Sequence, residues 1–290
     1  MPHHILLLGA TGPSGLTFAE TALAAGHQLT LYARNPSKFS PSIQSHANVK
    51  IVEGEFSDSD KVKEALSSSA TILVSVLGPS IPLKYNGTPV THFHSYSKTL
   101  FPSLLDLKKS GDSKIERILI CSTPSFHSPN NDDSFSPLWL FCVSLIRIFK
   151  AAWDEVRGIG TATCSLDVKE IPWTVFRVPI LTNGEAKATK ARFVGKGAGL
   201  VLGRKSMAVW LLQEMEEGKW IGLEASLRPR ARSTIATSVC VFGIYHASQR
   251  FVCRSQTSDI DITQTKTFEL FQVERFSHDS SYHARSAVER

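Results

Sequence analysis

Residues 5–15 read Ile-Leu-Leu-Leu-Gly-Ala-Thr-Gly-Pro-Ser-Gly, and no other stretch limits the possible folds so strongly. Ile5 to Leu8 form an apolar run suited to a buried strand, and the amphipathic run 16–25 suits a helix closed by Gly26. Between them stand Gly9, Gly12 and Gly15, with Thr11, Pro13 and Ser14 filling the gaps. The spacing has a physical meaning. Gly9 permits a tight turn off the strand, and Gly12 lets the backbone approach a pyrophosphate. Gly15 lets the helix pack close to the sheet, and free amides at the helix start point at the anion. In a strand–loop–helix setting this pattern predicts a dinucleotide site.

The rest of the chain repeats that rhythm as far as residue 224. Strands are expected at 28–32, 49–52, 71–77, 117–121 and 173–178, and helices at 59–66, 95–110 and 205–217. Six apolar strands joined by crossover helices predict an α/β protein, a Rossmann-type doubly wound parallel sheet. Residues 225–290 differ. They are rich in Ser, Thr and Arg and hold one glycine, Gly243. An irregular or disordered extension is expected there, the alternative being a short docking element around 239–245.

The end of the second strand bears on which dinucleotide is held. An NAD enzyme commonly places an acid there for the ribose 2′-hydroxyl. This chain reads Tyr32-Ala33-Arg34-Asn35-Pro36-Ser37-Lys38, with two cations and no acid. Arg34 can grip a 2′-phosphate bidentately and Lys38 can add a point charge, so NADPH is expected in preference to NADH. After the third strand, Glu55 and Phe56 stand where an adenine ring would lie. Leu77, Gly78 and Pro79 follow the fourth strand and bring backbone toward the ribose nearest the nicotinamide. Pro179 and Thr182 follow the sixth and are expected beside the nicotinamide itself, with Thr182 reaching its carboxamide. The glycine-rich run 193–203 is a candidate wall for a small-molecule substrate.

Composition removes several other classes. The net charge of +6, with pI about 9.1, is spread along the chain without a nucleic-acid motif. Five cysteines without a CxxC pair suggest reduced thiols and a cytoplasmic setting, and no His/Cys spacing suits a metal. No apolar run approaches the about 20 residues needed to cross a bilayer. A soluble monomer or homodimer is expected, binding neither nucleic acid nor membrane.

The segment GATGPSG, the run 32–36, the Leu77-Gly78-Pro79 turn and Trp173-Thr174-Val175-Phe176-Arg177-Val178-Pro179 together resemble the atypical short-chain dehydrogenase/reductase group. That group includes NmrA-like proteins and the biliverdin reductase B or flavin reductase type. The resemblance covers residues 4–222. It implies a Rossmann fold, NADP(H) at the strand C-termini and, often, hydride transfer. It also implies a Ser or Thr near Ser122 and a cation near the cofactor, which Lys150 could supply.

Hydride transfer needs an acid near the accepting atom. None of the five tyrosines has a lysine four residues on, so the Tyr-x-x-x-Lys pair of typical short-chain dehydrogenases is missing. Ser122, Thr123 and Ser125, after the fifth strand, and Lys150 are the catalytic candidates. His127 reads first as a surface residue, and Lys150 reads first as a helix-end cation favoured by the dipole. The expected function is an NADP(H)-dependent oxidoreductase reducing a small carbonyl, quinone or flavin-like acceptor. The alternative is an NADP(H)-sensing regulator without turnover.

Overall fold

Strand β1, His4–Leu8, sends successive side chains to opposite sides of the sheet. Ile5 and Leu7 enter one core, and Leu6 and Leu8 enter the other. Four consecutive apolar residues are therefore what a strand buried on both faces requires. The computed structural model describes residues 2–78, 95–129, 133–134, 137, 150–195 and 199–229.

Helix α1, Pro13–Ala24, follows the glycine loop and leads to β2, Gln28–Ala33. Then come a 3-10 turn at Pro36–Lys38, α2 (Pro41–Gln44), β3 (Val49–Glu53), α3 (Ser59–Leu66) and β4 (Ile72–Ser75). A π-type turn, Tyr96–Leu100, runs into α4, Phe101–Ser110, and β5 spans Arg117–Ser122. Helix α5, Lys150–Cys164, precedes β6, Trp173–Arg177. Three short strands follow: β7 (Ile180–Thr182), β8 (Thr189–Arg192) and β9 (Val201–Gly203). Helix α6, Arg204–Glu217, and β10, Leu223–Pro229, complete the described part.

The main sheet has the order β3-β2-β1-β4-β5-β6-β10-β8, all parallel except that β8 runs against β10. Strands β7 and β9 form a separate parallel pair. This is the expected Rossmann-type architecture. Helices α1 and α6 cover one face, with Phe18, Ala22, Met207 and Leu211 packed on Leu31, Val74 and Phe176. Helices α3, α4 and α5 cover the other, where Leu66, Leu104 and Ile159 meet Leu73, Ile118 and Val175.

The sheet runs past the expected boundary at Glu224. Strand β10 continues through Pro229, and it is the sole neighbour of β8 among the described strands. β10 does alternate, with apolar Leu223, Ala225 and Leu227 separated by Glu224, Ser226 and Arg228. β8 is Thr-Lys-Ala-Arg at an edge, and its strand character is set by pairing with β10. Residues 230–290, which hold most of the expected irregular extension, lie outside the described residues, as does all of 138–149.

The place of Lys150 is also corrected. It opens the described part of α5, which runs on to Cys164 through Gly158 and Gly160, so Lys150 does not sit at a helix C-terminus. Gly160 does not end the helix because tertiary packing uses it. A Cβ on Gly160 would fall 2.6 Å from the Phe126 ring, which lies directly on the helix backbone there.

Candidate functional site

The order of the strands reverses on either side of β1, where β2 and β4 flank it. In an open α/β sheet such a switch point leaves a crevice at the strand C-termini. A hollow of about 390 Å³ occupies this place, lined by Gly9, Gly12, Pro13, Ser14 and Gly15 on one side. Leu77 and Gly78 after β4, and Cys121 to Thr123 at the end of β5, form its floor. Val156 and Ile159 of α5 close one wall; Val178, Leu181, Arg204 and Met207 close another.

The three loop glycines do different jobs. Gly9 has φ +80, and a Cβ there would stand 3.0 Å from the Leu77 amide nitrogen. Gly15 is more crowded: its Cβ would lie 2.2 Å from the Gly9 carbonyl oxygen and 2.7 Å from Ala10 Cα. No side chain fits without moving α1 off the sheet. Gly12 adopts φ −77 and ψ 161, which any residue can take, and its Cβ would meet only the Gly9 oxygen at 3.5 Å. The fold itself does not require glycine at 12. Its lack of a side chain keeps the crevice open where the first turn of α1 begins. Thr11 stands outside the described lining.

Helices α1 and α6 lie side by side with the same direction. The His3 amide donates to His27 Nδ1 (2.9 Å), just after α1, and the His3 ring bonds Glu216 (3.0 Å), near the end of α6. The C-terminal ends therefore meet at the far end of the sheet. Their starts, Pro13 and Arg204, both line the crevice, so two helix N-termini direct their partial positive charge there.

Arg34 and Lys38 are exposed just beyond β2, and neither has an ion-pair partner among the described residues. Asp58 caps α3, accepting from the amides of Asp60 and Lys61 (both 3.1 Å). Glu55 is exposed and its carbonyl accepts from the Tyr32 hydroxyl at 2.7 Å. The Phe56 ring differs from expectation. It stacks on Tyr96 with centroids 5.6 Å apart and meets Tyr32 edge-on at 5.9 Å, so it anchors the loop after β3 to the core.

At the end of β5, Ser122 is almost fully buried, and its hydroxyl donates to the Val156 carbonyl at 3.4 Å. The Thr123 and Ser125 hydroxyls bond each other. Cys121 is half-buried and lines the crevice. Burial pushes its thiol up to about 12, so it stays protonated and is a poor nucleophile. His127 is exposed, as expected. The Pro79 assignment lies outside the described residues, and of Lys150 only its helical position is described.

Past β6 the structure rearranges two expectations. Val178 and Leu181 line the crevice, whereas Pro179 and Thr182 do not; the Thr182 hydroxyl points to the Leu202 carbonyl across the β7–β9 pair (3.5 Å). A β-strand alternates its faces, so Leu181 enters and Thr182 leaves. Phe193, Val194 and Gly195 line a separate hollow of about 710 Å³ with Ser134, Arg192 and Trp220. They do not wall the crevice.

One buried ion pair fixes this region. Arg177 grips Asp133 bidentately (2.5 and 2.8 Å) and also donates to the carbonyls of Phe126 (3.1 Å) and Glu224 (2.6 Å). Asp133 accepts in turn from the amides of Ser128 and Val194. The segment after β5 is thereby tied to β6 and β10. Val156, Ile159, Arg204 and Met207 were not singled out from the sequence, because they come from helices whose periodicity marks only a buried face.

A family model described as NAD(P)H-binding matches residues 9–217, which include the loop, the crevice and α6. The chain belongs to this NAD(P)H-binding family. No curated protein matches it. Among solved structures, a short-chain dehydrogenase/reductase from Veillonella parvula, in complex with NADP, is similar with TM-score 0.61 and 16% identity. The match covers 80% of this chain and 96% of that one. ChuY, an anaerobilin reductase from Escherichia coli O157:H7, matches with TM-score 0.59 and 16% identity over 79% and 98% of the two chains. The oxidoreductase ylbE of Lactococcus lactis matches with TM-score 0.56 and 14% identity over 78% and 91%. At these identities the likeness shows the fold, and together with the family model it agrees with the atypical short-chain dehydrogenase/reductase group. No helix among the described residues is long and apolar enough to cross a membrane.

Proposed function

We propose that this protein is an NADP(H)-dependent oxidoreductase that passes a hydride to a small carbonyl, quinone or flavin-like acceptor. The observation that carries the reading is the unneeded glycine at 12, at the mouth of a crevice that two helix starts face. Gly9, Gly12 and the amides of Pro13's successors Ser14 and Gly15 would hold the diphosphate. Arg34, without an ion-pair partner among the described residues, would take the 2′-phosphate, with Lys38 near it in sequence. The bound dinucleotide supplies the hydride. Ser122 and Thr123 would orient the reactive end, while the apolar side chains of Val156, Ile159, Leu181 and Met207 would exclude water. The NADP complex of one structural neighbour and the reductase name of another support this reading. Turnover in the cytoplasm, as a monomer or homodimer, belongs to the same proposal.

A second reading, an NADP(H) sensor of the NmrA-like type, is favoured by one observation. Among the described residues, no carboxylate, histidine or lysine lines the crevice, and the hydroxyls of Ser122, Thr123 and Ser125 are already bonded to protein atoms. Titration with NADPH and NADH, with Arg34→Ala in parallel, tests the shared part. Wild type should prefer NADPH and the variant should lose that preference. Failure of wild type to bind either dinucleotide at micromolar levels would sink both readings. Oxidation of NADPH with quinones, flavins and aldehydes then separates the two: enzyme if any acceptor turns over, sensor if binding stands alone.

A further inference from the structure

Arg204 is the one charged side chain lining the crevice among the described residues. It stands where α6 begins, half-buried, and its neighbours there are Leu181, Val178 and Met207. Its Nη1 donates to Asn183 Oδ1 at 2.8 Å, and its Nε is buried without any partner. A neutral amide carbonyl orients the guanidinium but does not neutralise it. Glu185, two residues beyond Asn183, is committed to Lys205 (2.9 Å), and Glu214 is committed to Arg117. Among the described residues Arg204 has no ion-pair partner.

The two buried arginines, Arg117 and Arg177, also leave Nε without a partner, but their charge is matched: Arg117 by Glu214 (2.5 Å) and Arg177 by Asp133. A guanidinium taken partly out of water normally finds a carboxylate, because leaving the charge uncompensated is costly. Arg204 is held in place by a dipole, in an apolar wall, with the starts of two helices adding to the same positive field. Such a site is complementary to an oxyanion delivered from outside. Arginine suits that role, since its planar fork presents parallel donors to a carboxylate or phosphoryl group.

We infer that Arg204 is the anion-recognition residue of the crevice, taking an oxyanion of the bound ligands. This deepens the dinucleotide reading and rests on it for the identity of the crevice. The oxyanion has two possible sources, the cofactor's diphosphate or a carboxylate on the acceptor, and they are separable by experiment.

The full-length chain is titrated calorimetrically with benzoate and with benzamide, its neutral isostere, in the presence and absence of NADPH; NADPH is titrated alone. The same series is run on Arg204→Gln, which keeps a polar group near Asn183, and on Arg204→Lys. A charge-assisted hydrogen bond lost in this setting corresponds to about tenfold in affinity or more. Arg204→Gln is expected to weaken benzoate or NADPH by that amount, to leave benzamide unchanged, and to be partly restored in Arg204→Lys. Loss confined to benzoate assigns the anion to the acceptor, and loss confined to NADPH assigns it to the cofactor. If Arg204→Gln changes neither, or weakens benzamide as much as benzoate, the inference is overturned. A wild type that binds benzoate through Arg204 but not NADPH overturns the cofactor reading and leaves the anion site standing. A wild type that binds neither anion overturns both.

Discussion

Alanine at Gly12 and at Gly15 should have opposite consequences, although the two residues stand three apart in one loop. At Gly15 the added methyl would lie 2.2 Å from one backbone atom and 2.7 Å from another. Neither can swing aside like a side chain, so α1 must pull away from β1. Overpacking of this kind costs about 1–3 kcal/mol. For a body of this size, about 2–4 °C per kcal/mol, the melting temperature should fall by about 2–12 °C. At Gly12 the backbone is already in a region open to alanine, and the methyl would meet one atom at ordinary contact distance. Alanine narrows the unfolded ensemble, worth about 0.4–1 kcal/mol. It is also a poorer N-cap than glycine by a similar amount, so the net effect on stability is near zero. The methyl would, however, occupy the space a diphosphate needs. Gly12→Ala should melt with wild type yet bind NADPH about tenfold more weakly or worse, by the same overpacking argument applied to the complex. Scanning calorimetry and fluorescence titration on both variants read the two effects. If Gly12→Ala binds as wild type does, the loop does not cradle a diphosphate; if Gly15→Ala melts with wild type, the packing argument is wrong.

Glu214→Gln leaves the buried Arg117 guanidinium without its counter-charge and should cost about 3–5 kcal/mol, read as a lower urea midpoint with an unchanged slope. Asp133→Asn strips Arg177 of its partner and releases the amides of Ser128 and Val194, so limited proteolysis should cut near 126–134 faster than in wild type. Unchanged cleavage would show that Asp133 does not hold that segment. His27 is lowered in pKa by burial first and by the neighbouring His3 next, and its Nδ1 already accepts the His3 amide. The unfolded chain therefore takes up that proton more readily, and stability should fall as pH drops through about 6.5. His27→Asn should flatten the curve; an equally steep curve in the variant would exclude His27 as its source. Because burial raises the Cys121 thiol, iodoacetamide at pH 8 should label it slowly until denaturant is added.

The first strand, the glycine loop and the exposed Arg34 were legible in the sequence because local rules determine them: an apolar run, a turn needing positive φ at Gly9, a strand end without an acid. The central strands were legible for the same reason, since burial on both faces leaves an uninterrupted apolar run. What the sequence concealed depended on partners distant in the chain. Strand β8 alternates lysine and arginine with small residues, and only β10 makes it a strand. Phe56 stands where an adenine could rest, but Tyr32 and Tyr96 compete for its ring. Thr182 was one residue out of phase with the face that enters the crevice. Arg204 looked like any basic residue at a helix boundary, because its lack of an acidic partner is a property of the folded molecule.

The Arg177 clamp also bears on the order in which the molecule can be completed. On a growing chain Asp133 emerges before Arg177, but the Glu224 carbonyl that accepts from the same guanidinium comes 47 residues later. Until then one arm of a fully buried cation still needs water, and sealing β6 into a dry sheet would leave that donor unmatched. The part of the sheet from β3 to β4 has no such dependence and can form as it is made, whereas β5 carries Arg117, whose partner Glu214 comes 97 residues later. Assembly should therefore proceed from the cofactor-loop side, with β6 held hydrated at the margin until β10 arrives to close it. Residues near the end of the described chain, none of which lines the crevice, thus govern when the crevice acquires its last wall.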